Sequence, residues 1–277
     1  MMEDAAMRQD ALQLEALLVS REYLYTLFHK LLGGTPDAEL LEVLLGDATA
    51  DVVEEYAGDN ATLRGLCAFL RELRAEDAAG LIDRARDEYA RIFVGPAALP
   101  ASPYESPYTG VHDMGVFQEN TLAVRAWYRE RGYQAKRLQA VPDDHVSMMC
   151  AFMTTQAAAA LAAFREGRFT ELAGCLRDQM AFAEAHLANW VGTFATSVRN
   201  SKAGASAVLY PQMLEALDAF ASADVAFLTE AAYWVESHPD MPPTAPAPEL
   251  AAAEEALAAL VSIRPFGIQD NELVPVD

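Results

Sequence analysis

Two short stretches hold most of the side chains with chemistry to offer. The first, Pro103-Tyr104-Glu105-Ser106-Pro107-Tyr108, lies in a long proline-rich connection at 94–111. Long ordered loops in helical proteins are often functional. This one sets two aromatic rings, Tyr104 and Tyr108, beside the carboxylate of Glu105 and the hydroxyl of Ser106. Its prolines limit the entropy lost on ordering, and the combination suits peptide binding. The alternative is that the tyrosines pin the loop to the core while Glu105 is solvated or pairs with an arginine. The second stretch, Val141-Pro142-Asp143-Asp144-His145, runs directly into an apolar helical pattern. One aspartate is enough to cap the free amides of a first helical turn, where the helix dipole favours negative charge. The surplus carboxylate and the imidazole could hold a guanidinium through paired, charge-assisted hydrogen bonds.

The same residues admit other classes of function. His112-Asp113 and Asp144-His145 could be read as an HD-type metal-dependent phosphohydrolase, since clustered imidazoles and carboxylates can hold a divalent ion that activates water. The further ligands of that arrangement have no counterparts, and His112-Asp113 more simply begins a helix, so neither a metal nor a catalytic group is expected. No GxxxxGK[ST] loop is present to cradle a nucleotide phosphate. A third reading is an acidic helical scaffold whose two loops only cap and pack. His29 fits a dipole contact at the end of the first helix, and His186, Trp127, Trp190 and Trp234 fit packed positions or groove walls.

Charge narrows the partners. Acidic residues exceed basic ones by 41 − 20 = 21 in 277. Such a field repels nucleic acid and anionic lipid and attracts cationic ligands, a basic peptide above all, unless it serves solubility alone. Cys67, Cys150 and Cys175 are odd in number and widely spaced, which suits reduced core thiols. The N-terminus mixes Glu3, Asp4 and Asp10 with Arg8 and lacks the features of a signal peptide, so a cytoplasmic protein is expected. No apolar run reads as a membrane span.

The elements that must carry the loops are helices throughout. Ala78, Leu81, Ile82, Ala85, Tyr89, Ile92 and Phe93 follow one buried stripe, as do Val146, Met149, Cys150, Met153, Ala157, Ala160, Leu161 and Phe164. Further helices are expected over 11–32, 37–45, 60–74, 114–131, 169–198, 205–236 and 249–262. Gly33-Gly34 and Gly132 act as stops, and Pro211 sits in an opening turn. The fold class is all-α, a compact multi-helix bundle. Its domain is expected over 1–237, followed by a proline-rich linker at 238–248 and a helix with tail at 249–277, docked or mobile.

Glu88-Tyr89-Ala90-Arg91-Ile92-Phe93-Val94-Gly95-Pro96, then Pro103 to Tyr108, then Pro142-Asp143-Asp144-His145 resemble, in order and spacing, the TorD/DmsD family of redox-enzyme maturation chaperones. His112 to Phe117 and the pair His186 and Trp190 fit the same pattern, so the resemblance covers roughly 12–236. Pro107 departs from it, standing where an apolar or β-branched residue is frequent, as does the extension beyond 236. The resemblance implies a non-catalytic cytoplasmic chaperone that binds the twin-arginine signal peptide of a molybdenum-cofactor oxidoreductase. It would assist folding and cofactor insertion and prevent premature export. It also implies that Tyr104, Glu105, Ser106, Tyr108, Asp143, Asp144 and His145 contact that peptide. Weak guanine-nucleotide binding, and a monomer or an exchanged dimer, are compatible with it.

Overall fold

The first expected helix extends to α1 (Met2–Gly33), and Leu14, Leu18, Tyr25, Phe28 and Leu32 along it are all buried. The computed structural model describes residues 2–95, 98–109, 119–137, 140–239, 241, 243 and 246–276, with side chains from Ala6 onward. After α1 come α2 (Ala38–Leu44), α3 (Asp47–Ala57), α4 (Ala61–Arg74) and α5 (Ala78–Tyr89). Their starts follow from side-chain caps. Asp37 accepts from the Leu40 amide, Asn60 from Thr62 and Leu63, and Asp77 from Gly80. α5 then widens into a π-turn over Ala90–Val94 and stops at Gly95, whose φ of 60° lies in the left-handed region.

Beyond the first loop lie α6 (Ser106–Thr109), α7 (Glu119–Glu130), the short strand β1 (Tyr133–Ala135) and α8 (Val146–Arg165). α8 is long and apolar enough by composition to cross a membrane, contrary to the expectation that no run is. Yet 72% of its apolar window is buried, and it packs along α1 and α9 as a core helix does. The single helix expected over 169–198 is two, α9 (Phe169–His186) and α10 (Val191–Asn200). The chain breaks between them where the Trp190 indole N–H donates to the His186 carbonyl at 2.8 Å. α11 (Lys202–Ala205) precedes α12 (Tyr210–Ser237). No residue adjacent to α12 caps its start. The buried Glu88 of α5 reaches across instead, accepting from the amides of Val208, Leu209 and Tyr210 at 2.6, 2.9 and 3.2 Å.

The core joins α1, α8, α9, α10 and α12. Each Phe or Leu fully buried there contributes about 1.5–3 kcal/mol. A polar cluster sits at its centre. Arg21 donates through Nε to Asp224 at 2.5 Å and through Nη2 to Gln179 at 2.8 Å, and the Tyr25 and Tyr56 hydroxyls donate to Asp224 at 2.6 Å each. Burial disfavours the charged guanidinium, and Asp224 more than offsets it, raising the pKa of Arg21 above its ordinary value.

The C-terminal segment returns to this body. α13 (Ala251–Ser262) packs on α1, α2 and α3, and the Lys30 ammonium donates to the Ile263 carbonyl at 2.9 Å just past the helix end. β2 (Leu273–Pro275) pairs antiparallel with β1, Gln134 facing Val274. Gly33 permits the approach, since a Cβ there would lie 2.6 Å from Ile268 Cδ1 and 2.7 Å from Ser147 Oγ. The three thiols are unpaired; Cys67 and Cys150 are buried and Cys175 half-buried. His29 is not the charged dipole contact its position suggests. It is buried, and burial first and Lys30 second push its pKa down to about 4.

Candidate functional site

The two loops form one unit. The Glu105 amide donates to the Asp144 carbonyl at 3.1 Å and the Val146 amide to the Pro103 carbonyl at 2.9 Å, so Tyr104 and His145 face each other as an antiparallel bridge. Two segments 38 residues apart are thereby locked in register. Proline rigidity at 103 and 142 lowers the entropy that this locking must overcome.

Asp144 is the centre of the lock and is 1% exposed. Its Oδ2 accepts from the Ser106 hydroxyl at 2.5 Å and the Ser106 amide at 3.1 Å, and its Oδ1 from the Thr121 hydroxyl at 2.9 Å. Asp143 turns the other way. Its Oδ2 accepts from Arg125 Nη2 at 2.6 Å and Nε at 3.0 Å, and its carbonyl from the Tyr128 hydroxyl at 2.9 Å. Thr121, Arg125 and Tyr128 stand at i, i+4 and i+7 of α7, one helical face pressed on the second loop.

Glu105 is 2% exposed and meets His186 Nδ1 at 3.0 Å, with the Thr109 hydroxyl at 3.2 Å. Tyr108 stacks on Trp190 at 5.3 Å between centroids and donates to the Ser102 carbonyl at 2.8 Å. Burial pushes its phenol up to about 12. Tyr104 meets the His145 ring edge-on at 5.1 Å. His145 is the N-cap of α8. The Ser147 amide donates to its Nδ1 at 3.1 Å, which puts the ring proton on Nε2. Burial, with the neighbouring His29 second, lowers its pKa to about 3, so the imidazole is neutral.

All seven residues expected from sequence therefore come together, in unequal roles. Asp144, Glu105, Ser106 and His145 spend their polar atoms on their own chain and are buried. Tyr104 and Tyr108 are half-buried, and Pro107 and Pro142 are exposed. Asp143 alone holds a guanidinium, supplied by Arg125, whose side chain is 22% exposed. Sequence reading missed Thr121, Arg125 and Tyr128, whose polar stripe on an otherwise amphipathic helix was the available signal. His186 is packed as expected, against Phe182 at 5.4 Å, and in addition meets Glu105. Among the described residues no three or more His, Cys, Asp or Glu side chains converge as a metal site, and His112 to Phe117 lie outside those residues, as does Pro96.

Comparison with known proteins gives a consistent picture. The family model described as nitrate reductase delta subunit matches residues 53–196. The Tat proofreading chaperone DmsD of Salmonella typhi is 29% identical over 134 residues, covering 48% of this chain and 60% of that protein. The same figures hold for DmsD of Salmonella typhimurium. DmsD of Salmonella paratyphi A is 40% identical over 57 residues, covering 21% of this chain and 28% of that protein. The chain thus spans about three fifths of the length of the first two relatives.

Proposed function

The chain belongs to the TorD/DmsD family, whose model is described as nitrate reductase delta subunit, and from that premise we propose that it is a cytoplasmic, non-catalytic maturation chaperone. Its ligand is the twin-arginine signal peptide of a molybdenum-cofactor oxidoreductase. By holding the precursor it assists folding and cofactor insertion and delays export. The observation that carries this reading is the arrangement at Asp143, a nearly buried carboxylate that grips a partly exposed guanidinium with two donors on one oxygen. A peptide arginine exchanging with Arg125 makes the same contacts, so the charge-assisted bonds at Asp143 are conserved and the net gain comes from the rest of the peptide.

In this reading Asp144, Glu105, Ser106 and His145 position the loops, Asp143 receives the arginine, and the half-buried Tyr104 and Tyr108 of the first loop offer aromatic faces to the peptide's apolar part. The excess of negative charge draws the cationic segment in. Calorimetry with a synthetic twin-arginine signal peptide tests it. Binding is expected to weaken about tenfold when both arginines become lysine, because lysine lacks the planar fork. Asp143→Asn is expected to weaken binding of the arginine peptide to a similar degree while leaving the helical circular dichroism unchanged. Equal affinity for the two peptides would sink the reading.

A further inference from the structure

A second surface on this molecule has the chemistry of an arginine receptor and lies apart from the loops. Between the first half of α1 and the last third of α12 is a cleft of about 490 Å³. Leu14, Leu17 and Phe227 are among its apolar lining, with Tyr233 and Trp234 along the α12 side. Asp10 and Glu230 stand at its edges, and none of its described lining residues carries a positive charge. Tyr233 is 72% exposed, the most open tyrosine or tryptophan among the large apolar side chains on the described surface. His29, beside the loop site, is 15 residues further along α1 than Leu14, which at helical rise separates the two surfaces by roughly 20 Å.

The floor of the cleft is firm. Phe227 rests on the buried Arg21 guanidinium at 5.7 Å and against Tyr56 at 6.0 Å, so it is backed by the central polar cluster. Among the described lining residues two carboxylates, Asp10 and Glu230, face no cation, and with the aromatic rings and leucines of the same cleft they match a guanidinium flanked by aliphatic side chains. The cation finds opposite charge and ring faces together, and its neighbours find apolar area. The volume falls within the range of ligand sites.

We propose that this cleft docks an arginine-bearing apolar segment of the client polypeptide, separate from the segment held at the loops. The identity of that partner rests on the chaperone reading above; the chemistry of the surface does not. Two engaged segments on one chain raise affinity through effective concentration, and roughly seven extended residues bridge the distance.

The test uses the full chain and a synthetic amphipathic peptide of about 18 residues, roughly five helical turns, with arginines on one face and leucines on the other. Calorimetry should show binding that falls at least tenfold, about 1.4 kcal/mol, in the double variant Asp10→Asn, Glu230→Gln. Tyr233→Ala should weaken it severalfold, as should lysine in place of arginine in the peptide. All three altered residues are exposed, so circular dichroism should be unchanged. Unaltered binding in these variants overturns the proposal. So does self-association of the wild-type chain that Tyr233→Ala abolishes, which would make a second copy the occupant. The twin-arginine signal peptide is run in parallel. If it binds wild type and loses affinity only in Asp143→Asn, while the arginine-leucine peptide fails to bind, the cleft proposal falls and the chaperone reading stands. If the signal peptide itself fails to bind, the chaperone reading falls.

Discussion

His145 shows how one residue ties a local start signal to the site and to stability. Its imidazole caps α8 through an unprotonated Nδ1, so the folded state needs it neutral. Burial and His29 push its pKa down to about 3, and burial with Lys30 pushes that of His29 down to about 4. In the unfolded chain both titrate near about 6.5, so between that value and the folded values the unfolded state binds more protons. The stability these neutral rings permit is complete above about pH 6.5 and is lost as pH falls toward 4 and then 3. At about pH 5 the loss is on the order of 2 kcal/mol per histidine. Urea unfolding at pH 7 and pH 5 should therefore show a drop that shrinks in His145→Asn, which keeps a capping oxygen; an equal drop in that variant would remove His145 as its source. This role was hidden in the sequence. Two aspartates precede the helix and either is the usual cap, but Asp143 and Asp144 turn away to Arg125 and to Ser106, leaving the histidine in the capping position.

At the scale of elements, periodicity placed most helices and Pro211 marks a start that the chain uses, while the structure adds Asp37, Asn60 and Asp77 as side-chain caps. What escaped depends on contacts distant in sequence. The α9–α10 break contains neither glycine nor proline, and α12 is capped by Glu88 from 120 residues away. Strands β1 and β2 are each three residues, too short for alternation to register, and each has order only through the other. That ribbon matters for the site, because β1 follows directly on α7, the helix that supplies Thr121, Arg125 and Tyr128 to the second loop. The link is reinforced by the Lys136 amide donating to the Glu272 carbonyl at 2.8 Å and by the Arg137–Asp270 ion pair. Deleting the segment from Leu273 onward should loosen β1 and α7 together. Amide hydrogen exchange across both is expected to speed up about tenfold, with α12 unaffected. Acceleration confined to β1 would show that the tail does not brace the site.

For the molecule as a whole, the excess of 21 negative charges acts on folding and on binding with opposite sign. Within the fold many exposed carboxylates have an arginine beside them, as in Arg177–Glu236 and Arg84–Glu76. Such exposed pairs contribute little each, about 0–1 kcal/mol, and they leave most of the net charge uncompensated. Self-repulsion therefore works against the compact state, and salt should relieve it. A cationic peptide approaching Asp143 or the α1–α12 cleft gains from that same field, and salt should screen the gain. Raising sodium chloride from about 0.02 M to about 0.3 M shortens the screening length from roughly 20 Å to under 10 Å. Over that range the urea midpoint should rise while affinity for the twin-arginine peptide falls about threefold or more, mainly through slower association. The buried Arg21–Asp224 cluster is shielded from added ions and should contribute the same at both concentrations. A urea midpoint that falls with salt would mean that the ion pairs outweigh the repulsion, and an affinity that does not change would mean that peptide recognition owes nothing to the charge that first suggested it.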